Sequence, residues 1–202
     1  QLVAERPECL DGIGDKYHVS GLVWREAHGR LQEPADLLPR EIFSPCAAAA
    51  LYRRSALDAA GQFDEDHFCY LEDVDLGFRL RLAGFRALYV PDAVVHHVGS
   101  ATSGGQHSDF ALYHGHRNLV WTYVKNMPGA LFWLCLPLHI LLNLVVVLVF
   151  AARGRGGVLL RAKRDALIGL PRMWAKRRTI QRNRRAPVAS LWRVMDKGFA
   201  RD

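Results

Sequence analysis

The sequence predicts a mixed α/β body followed by an apolar membrane-associating segment and a basic amphipathic helix. Three observations carry this. Short apolar runs alternate with helical periods between Cys46 and Asn126, residues 130–152 contain no charged side chain, and charge is split along the chain. Residues 1–152 hold 12 Lys and Arg against 17 Asp and Glu, whereas residues 153–202 hold 15 against 3. An acidic body with a basic tail differs from a uniformly basic nucleic-acid binder, despite a net charge of +7. With 50% apolar residues among 202, the chain has enough core material to exclude disorder.

Residues 1–45 are rich in Gly, Pro and charge and show no long period, so loops and edge strands are expected there. The opening Gln-Leu-Val-Ala-Glu-Arg-Pro lacks the basic start and apolar stretch of a signal peptide, and the expectation is a piece of a longer protein. Cys9, Cys46, Cys69 and Cys135 have no Cys-x-x-Cys spacing, and reduced thiols are expected. Residues 46–52 form a small-residue segment suited to close packing. A short helix over Arg53–Ala60 should follow, with Gly61 at its C-cap.

Residues 70–83 give the clearest helix. Leu71, Val74, Phe78 and Leu82 fall on one face, Asp75, Arg79 and Arg81 on the other, and Gly84 ends it. Phe85–Val90 reads as a strand stopped by Pro91, and Ala93–Val98 as another. Residues 99–107 read as a flexible Gly/Ser loop, and Ser108 as the N-cap of a helix reaching about Asn126.

Ala130–Ala152 is long enough to span a bilayer core, although Pro137, His139 and Asn143 interrupt it. A straight transmembrane helix, a re-entrant or in-plane segment, and a buried helix are the alternatives. From Val158 to Thr179, Leu159, Leu160, Ala166, Leu167, Leu170, Met173 and Trp174 share one side among basic residues, which suits an anionic membrane surface.

Phe63-Asp64-Glu65-Asp66 and Glu72-Asp73-Val74-Asp75 concentrate carboxylates. Glu72 and Asp73 open a helix, where the dipole favours the ionised form, and such a group can take a proton from a hydroxyl within reach. The bland reading is ordinary first-turn capping chemistry. His96 and His97 lie on opposite faces of a strand, so at most one points into a given site. An imidazole near carboxylates suits a Mn²⁺-like ion, against the alternative of a buried His tied to a carbonyl.

Taken in order, Cys46-Ala-Ala-Ala-Ala-Leu-Tyr-Arg53-Arg54, Gly61-Gln-Phe-Asp-Glu65, Tyr70-Leu-Glu-Asp-Val-Asp-Leu76, Ala83-Gly-Phe-Arg86 and Tyr89-Val-Pro-Asp92 resemble the second half of the inverting family 2 glycosyltransferases. Val94-Val-His-His97-Val-Gly-Ser-Ala-Thr-Ser103 and Arg117-Asn118 extend the likeness, which is closest to the rhamnosyltransferase-like group and covers about residues 10–126. The resemblance implies the acceptor-side half of a GT-A fold over residues 1–127, then a membrane-associating segment over 128–152 and a basic helix and tail over 153–202. It implies Asp73 as general base, with Glu72 beside it and Asp75 and Asp64 supporting the acceptor or the site geometry. It implies His97 as a ligand to a divalent metal, Mg²⁺ or Mn²⁺, and Arg117 at the donor phosphate. The family's nucleotide-binding βαβ half and its Asp-x-Asp precede these motifs and have no counterpart here, so a chain lacking that half is expected to need it. The implied partners are a nucleotide-sugar donor such as dTDP-rhamnose or a UDP-sugar, a lipid-linked or glycan acceptor, and the membrane surface, but no nucleic acid. Without the Gln-x-x-Arg-Trp of processive synthases, addition of one or a few sugars is implied.

Nucleotide sugars are cytosolic, so the expected location is the cytoplasmic face of the bacterial inner membrane. A non-catalytic or truncated membrane partner is the alternative reading. A nucleic-acid binder acting through residues 153–202 alone is a third.

Overall fold

The computed structural model describes residues 1–98 and 108–198. The expected loop over 99–107, with the motif residues it contains, lies outside them. Short strands fill the N-terminal part: β1 (Leu2–Val3), β2 (Arg6–Leu10), β3 (Asp15–Tyr17), β4 (Val23–Arg25) and β5 (Arg40–Ile42). Helices α1 (Arg54–Ala60) and α2 (Glu72–Leu82) follow, then β6 (Ala87–Tyr89) and β7 (His96–His97). The rest is helical: α3 (Asp109–Asn126), α4 (Gly129–Ala152), α5 (Gly156–Ile168), α6 (Leu170–Arg182) and α7 (Val188–Val194). β1 pairs antiparallel with β2 and parallel with β7, β3 pairs with β4, and β5 with β6. The chain is thus mixed α/β, with small sheets dressing a helical body.

Ser108 caps α3 as expected, its hydroxyl accepting from the Ala111 amide at 3.1 Å, and α3 ends at Asn126. Gly61 closes α1 with φ 81° and Gly84 follows α2 with φ 95°, conformations that glycine adopts at least cost. Phe85–Val90 and Ala93–Val98 shrink to β6 and β7.

The polar face expected on α2 is not solvated. Arg81 is buried and donates to the Phe43 carbonyl at 2.6 Å, to that of Ile42 and to Glu41 at 2.8 Å, tying α2 to β5. Arg79 is buried too, reaching Asp75 at 2.8 Å and the carbonyls of Ala60 and Gln62 at 2.7 Å. Both faces of α2 are therefore internal, one apolar and one paired. The core opens on stacked Tyr17 and Phe43, centroids 5.1 Å apart, with Phe78 edge-on to both.

That core continues through Trp121, Tyr123 and Phe132 to Ala166, Met173, Leu191 and Met195. The three expected segments consequently do not have separate cores. The tail beyond Arg182 is stitched in by backbone bonds from Arg185 and Ala186 to the Leu82 carbonyl, and between Asp196 and both Tyr17 and Val19.

The single basic amphipathic helix is two helices meeting at Gly169. A Cβ there would lie 2.6 Å from the Trp121 ring, whose Nε1 donates to the Ala166 carbonyl at 2.9 Å. Leu159, Ala166 and Met173 face the protein interior, while Leu160 and Leu167 are exposed. Several basic residues are engaged internally. Lys176 reaches Asp64 at 2.5 Å and Asp66 at 2.6 Å, and Arg172 reaches Asp66 at 3.0 Å. Arg177 donates to the carbonyls of Val124 and Met127, capping the C-terminal end of α3 where positive charge is favoured.

Candidate active site

The Glu72-Asp73 pair is set by an unusual approach to α2. Phe68, Tyr70 and Leu71 have φ of 60°, 65° and 64°, a left-handed conformation that costs non-glycine residues on the order of 1–2 kcal/mol each. Buried Asn118 on α3 holds the turn, its Nδ2 lying 2.8, 2.9 and 2.7 Å from the carbonyls of His67, Cys69 and Tyr70. Arg117 adds bonds to the Asp66 and His67 carbonyls at 3.1 and 3.0 Å and stacks over Trp121 at 4.3 Å. The guanidinium expected at a donor phosphate is thus engaged in holding this turn. Asn118→Ala strands buried carbonyls, each worth about 1–3 kcal/mol. We expect roughly 3 kcal/mol less stability in urea unfolding, and amide exchange over residues 66–71 accelerated more than tenfold.

Asp73 is half-exposed. Its Oδ2 accepts from the Ala47 amide at 3.0 Å, its Oδ1 from the Val74 amide at 2.8 Å. The small-residue turn after Cys46 is what lets the backbone approach so closely. Ser44 Oγ donates to the Asp73 carbonyl at 3.1 Å, and Gly77 leaves room for Ser44, since a Cβ there would overlap its hydroxyl. Burial and then the Asp73 charge raise the Glu72 carboxyl, whose Oε2 is buried without a hydrogen-bond partner among the described residues.

Three residues that the sequence did not single out surround this pair. Asp15 lies across from Asp73, its amide bonded to the Ser44 carbonyl at 2.8 Å. Burial first, then Asp73, pushes its carboxyl up to about 7. Arg25 answers these negative charges, donating to Asp11 at 2.6 Å and to the Cys46 sulfur at 3.0 Å. His97 Nδ1 lies 2.9 Å from the same Asp11 Oδ2. The only signal in the sequence was Asp11-Gly-Ile-Gly-Asp15, two carboxylates set off by glycines with φ 155° and 131°.

Asp75, on the inner side of α2, and Asp64 share one cation. Asp75 is fully buried, bonded by Lys125 at 2.8 Å, Asn126 at 2.7 Å and Arg79, and Lys125 also pairs with Asp64. Burial alone would raise both carboxyls, but Lys125 pulls them well below the usual range, helped by His67 and Arg79 at Asp75 and by Lys176 at Asp64. Both carboxylates are taken up by these internal partners.

Two places offer groups of the kind that bind a divalent ion. Ligand atoms of Asp64, His67 and Asp75 lie within 4.8 Å of one another, a possible Asp-His-Asp site, yet the Lys125 ammonium already bridges both carboxylates. That set does not fit a further dication. His97 fits as one ligand: Asp11 takes Nδ1, which fixes the tautomer that leaves Nε2 free to coordinate, a common arrangement of metal-bound histidines. The ring is 30% exposed.

A half-exposed carboxylate held at a helix start is of the kind that can take a proton from a hydroxyl within reach. Residues 28–121 match the family described as glycosyltransferase like family 2. Two relatives from Mycobacterium tuberculosis, strains CDC 1551 / Oshkosh and ATCC 25618 / H37Rv, are described as N-acetylglucosaminyl-diphospho-decaprenol L-rhamnosyltransferase. Each is 49% identical over 65 residues, which cover 32% of this chain and only 21% of the relative. No solved structure matches.

Proposed function

We propose that this chain supplies the acceptor-activating half of an inverting glycosyltransferase working at the cytoplasmic face of a bacterial membrane. The observation that carries the reading is Asp73, half-exposed and fixed through both carboxylate oxygens, with Arg25 within electrostatic reach and itself bonded to Asp11, the partner of His97. The acceptor hydroxyl attacks the anomeric carbon of a nucleotide-diphospho-sugar while the bond to the diphosphate breaks, and its proton passes to Asp73. One displacement inverts the anomeric centre. Glu72, uncompensated and adjacent, strengthens the negative field that holds the incoming hydroxyl's proton. Arg25 balances that field and keeps Asp11 in place to orient His97. When bound through His97, a divalent ion supplies charge neutralisation at the departing diphosphate.

The match to the two relatives favours a rhamnosyl donor and an acceptor of prenyl-diphosphate-linked N-acetylglucosamine. The test is transfer from labelled dTDP-rhamnose and UDP-sugars to that acceptor, using a protein in which this chain is joined to a nucleotide-binding half. NMR of the product should show the inverted anomer. A retained anomer, or no transfer from any donor, overturns the proposal.

A further inference from the structure

Helix α4 is uncharged and 24 residues long, about 36 Å at 1.5 Å per residue, and one of its sides is bound to polar protein along nearly its whole length. Near its start the Phe132 carbonyl accepts from Tyr123 Oη at 2.7 Å. One turn and more further on, His139 stacks on Tyr123 at 3.9 Å and its Nδ1 lies 2.7 Å from the Ser20 carbonyl. Asn143 accepts from Lys163 of α5 at 2.5 Å. At the far end the Phe150 ring meets His116 of α3 at 5.6 Å, and just beyond it Arg155 pairs with Asp109 at the start of α3. α4 therefore runs opposite in direction to α3, touching it through these side chains, with α5 packed against both.

The other side is bare. Trp133, Leu134, Leu141, Leu144, Val145 and Leu148 are exposed, Leu134 and Leu148 at 69%. Basic residues flank both ends: Arg178 and Arg184 with Trp174 around a hollow of about 280 Å³ at Gly129, and Arg153 and Arg155 after Ala152.

If α4 crossed a bilayer, α5 would be drawn in with it, bringing Lys163, bonded to Asn143 midway along α4, and its neighbour Arg164 into hydrocarbon at high cost. Spanning would also place arginines on both sides, against the one-sided distribution that membrane insertion favours. Lying in the plane of the leaflet satisfies both constraints: the apolar side enters the acyl region, and the arginines at either end meet lipid phosphates.

We propose that the exposed side of α4 is a monotopic docking surface for an anionic leaflet, embedded parallel to the membrane and not crossing it. This rests on the reading that the protein works at a membrane, but its readout is position and not sugar transfer, so the two can fail separately.

The test uses Ala130→Cys and Ala152→Cys, exposed positions at the two ends of α4, in the full chain in bacterial membranes. A membrane-impermeant maleimide is added to inverted and to right-side-out vesicles, and labelled peptides are identified by mass spectrometry to separate them from native cysteines. Both positions labelled in inverted vesicles and neither in right-side-out vesicles is expected. One position labelled from each side overturns the proposal. In a second arm, Leu144→Glu with Leu148→Glu, at exposed positions, should reduce sedimentation with phosphatidylglycerol/phosphatidylcholine vesicles more than tenfold. Undiminished binding overturns the proposal. So does a wild-type chain that ignores these vesicles and forms a dimer that the double variant dissociates, because the occupant is then a second copy.

Discussion

Asp73→Asn lowers the rate of sugar transfer by about two to four orders of magnitude, the range spanned by a single general base. The substitution is close to isosteric. An asparagine Oδ1 can still accept from the Ala47 amide, which keeps the turn after Cys46 tied to the start of α2, while the local bond from the Val74 amide is given up. Donor affinity and unfolding midpoint should therefore stay near wild type while kcat falls. The Asp15 carboxyl offers a second readout. Its position at about 7 comes from burial and then from the Asp73 charge, so in the variant its titration, followed by the carboxyl carbon shift, moves down towards the ordinary range near 4. A normal transfer rate with a shifted Asp15 titration would show an intact site in which Asp73 is not the base.

Lys125→Met has the largest effect on the fold. Lys125 is 1% exposed and bridges Asp64 to the fully buried Asp75. Methionine fills similar space without charge, leaving Asp75 with Arg79 and Asp64 with Lys176 as remaining cationic partners. Breaking a buried pair on one side costs about 3–5 kcal/mol, which for a chain of this size lowers the melting temperature by about 10 °C. Adding Asp75→Asn should recover part of that loss. The pH dependence has a definite sign. Both carboxyls lie below their unfolded values in the folded protein, so the stabilisation is present above a pH near 4 and is lost as pH falls. The variant lacks much of that depression, so its stability falls less on acidification, and the two unfolding curves converge at low pH. Parallel curves would show that Lys125 does not set these titrations.

What could be read in the sequence followed from local chemistry. Ser108 as a cap, Gly61 and Gly84 as stops, and the apolar spacing of α2 each act within a few residues, and each reappears in the structure. The Glu72-Asp73 pair was legible because its position at a helix start is also local. Asp11, Asp15 and Arg25 were not, because they come from strands of three to five residues and their connections, without a period, brought to α2 by tertiary contacts. Asp75 lies apart from Asp73, because two residues along a helix turns about 200° and the two belong to different faces. The break at Gly169 depends on the Trp121 ring some fifty residues away. The pairing of Arg172 and Lys176 and the burial of Arg177 on α6 likewise needed knowledge of Asp64, Asp66 and the end of α3.

The left-handed turn at Phe68, Tyr70 and Leu71 bears on how this protein can change over generations. Glycine or asparagine at such positions would relieve local strain and raise overall stability, which makes them attractive to drift and to engineering alike. Yet the same turn aims the first residues of α2, and easing it frees the backbone to wander. The cheapest route to a sturdier protein therefore passes through the segment that aims Asp73, and selection for activity and selection for robustness pull in opposite directions there.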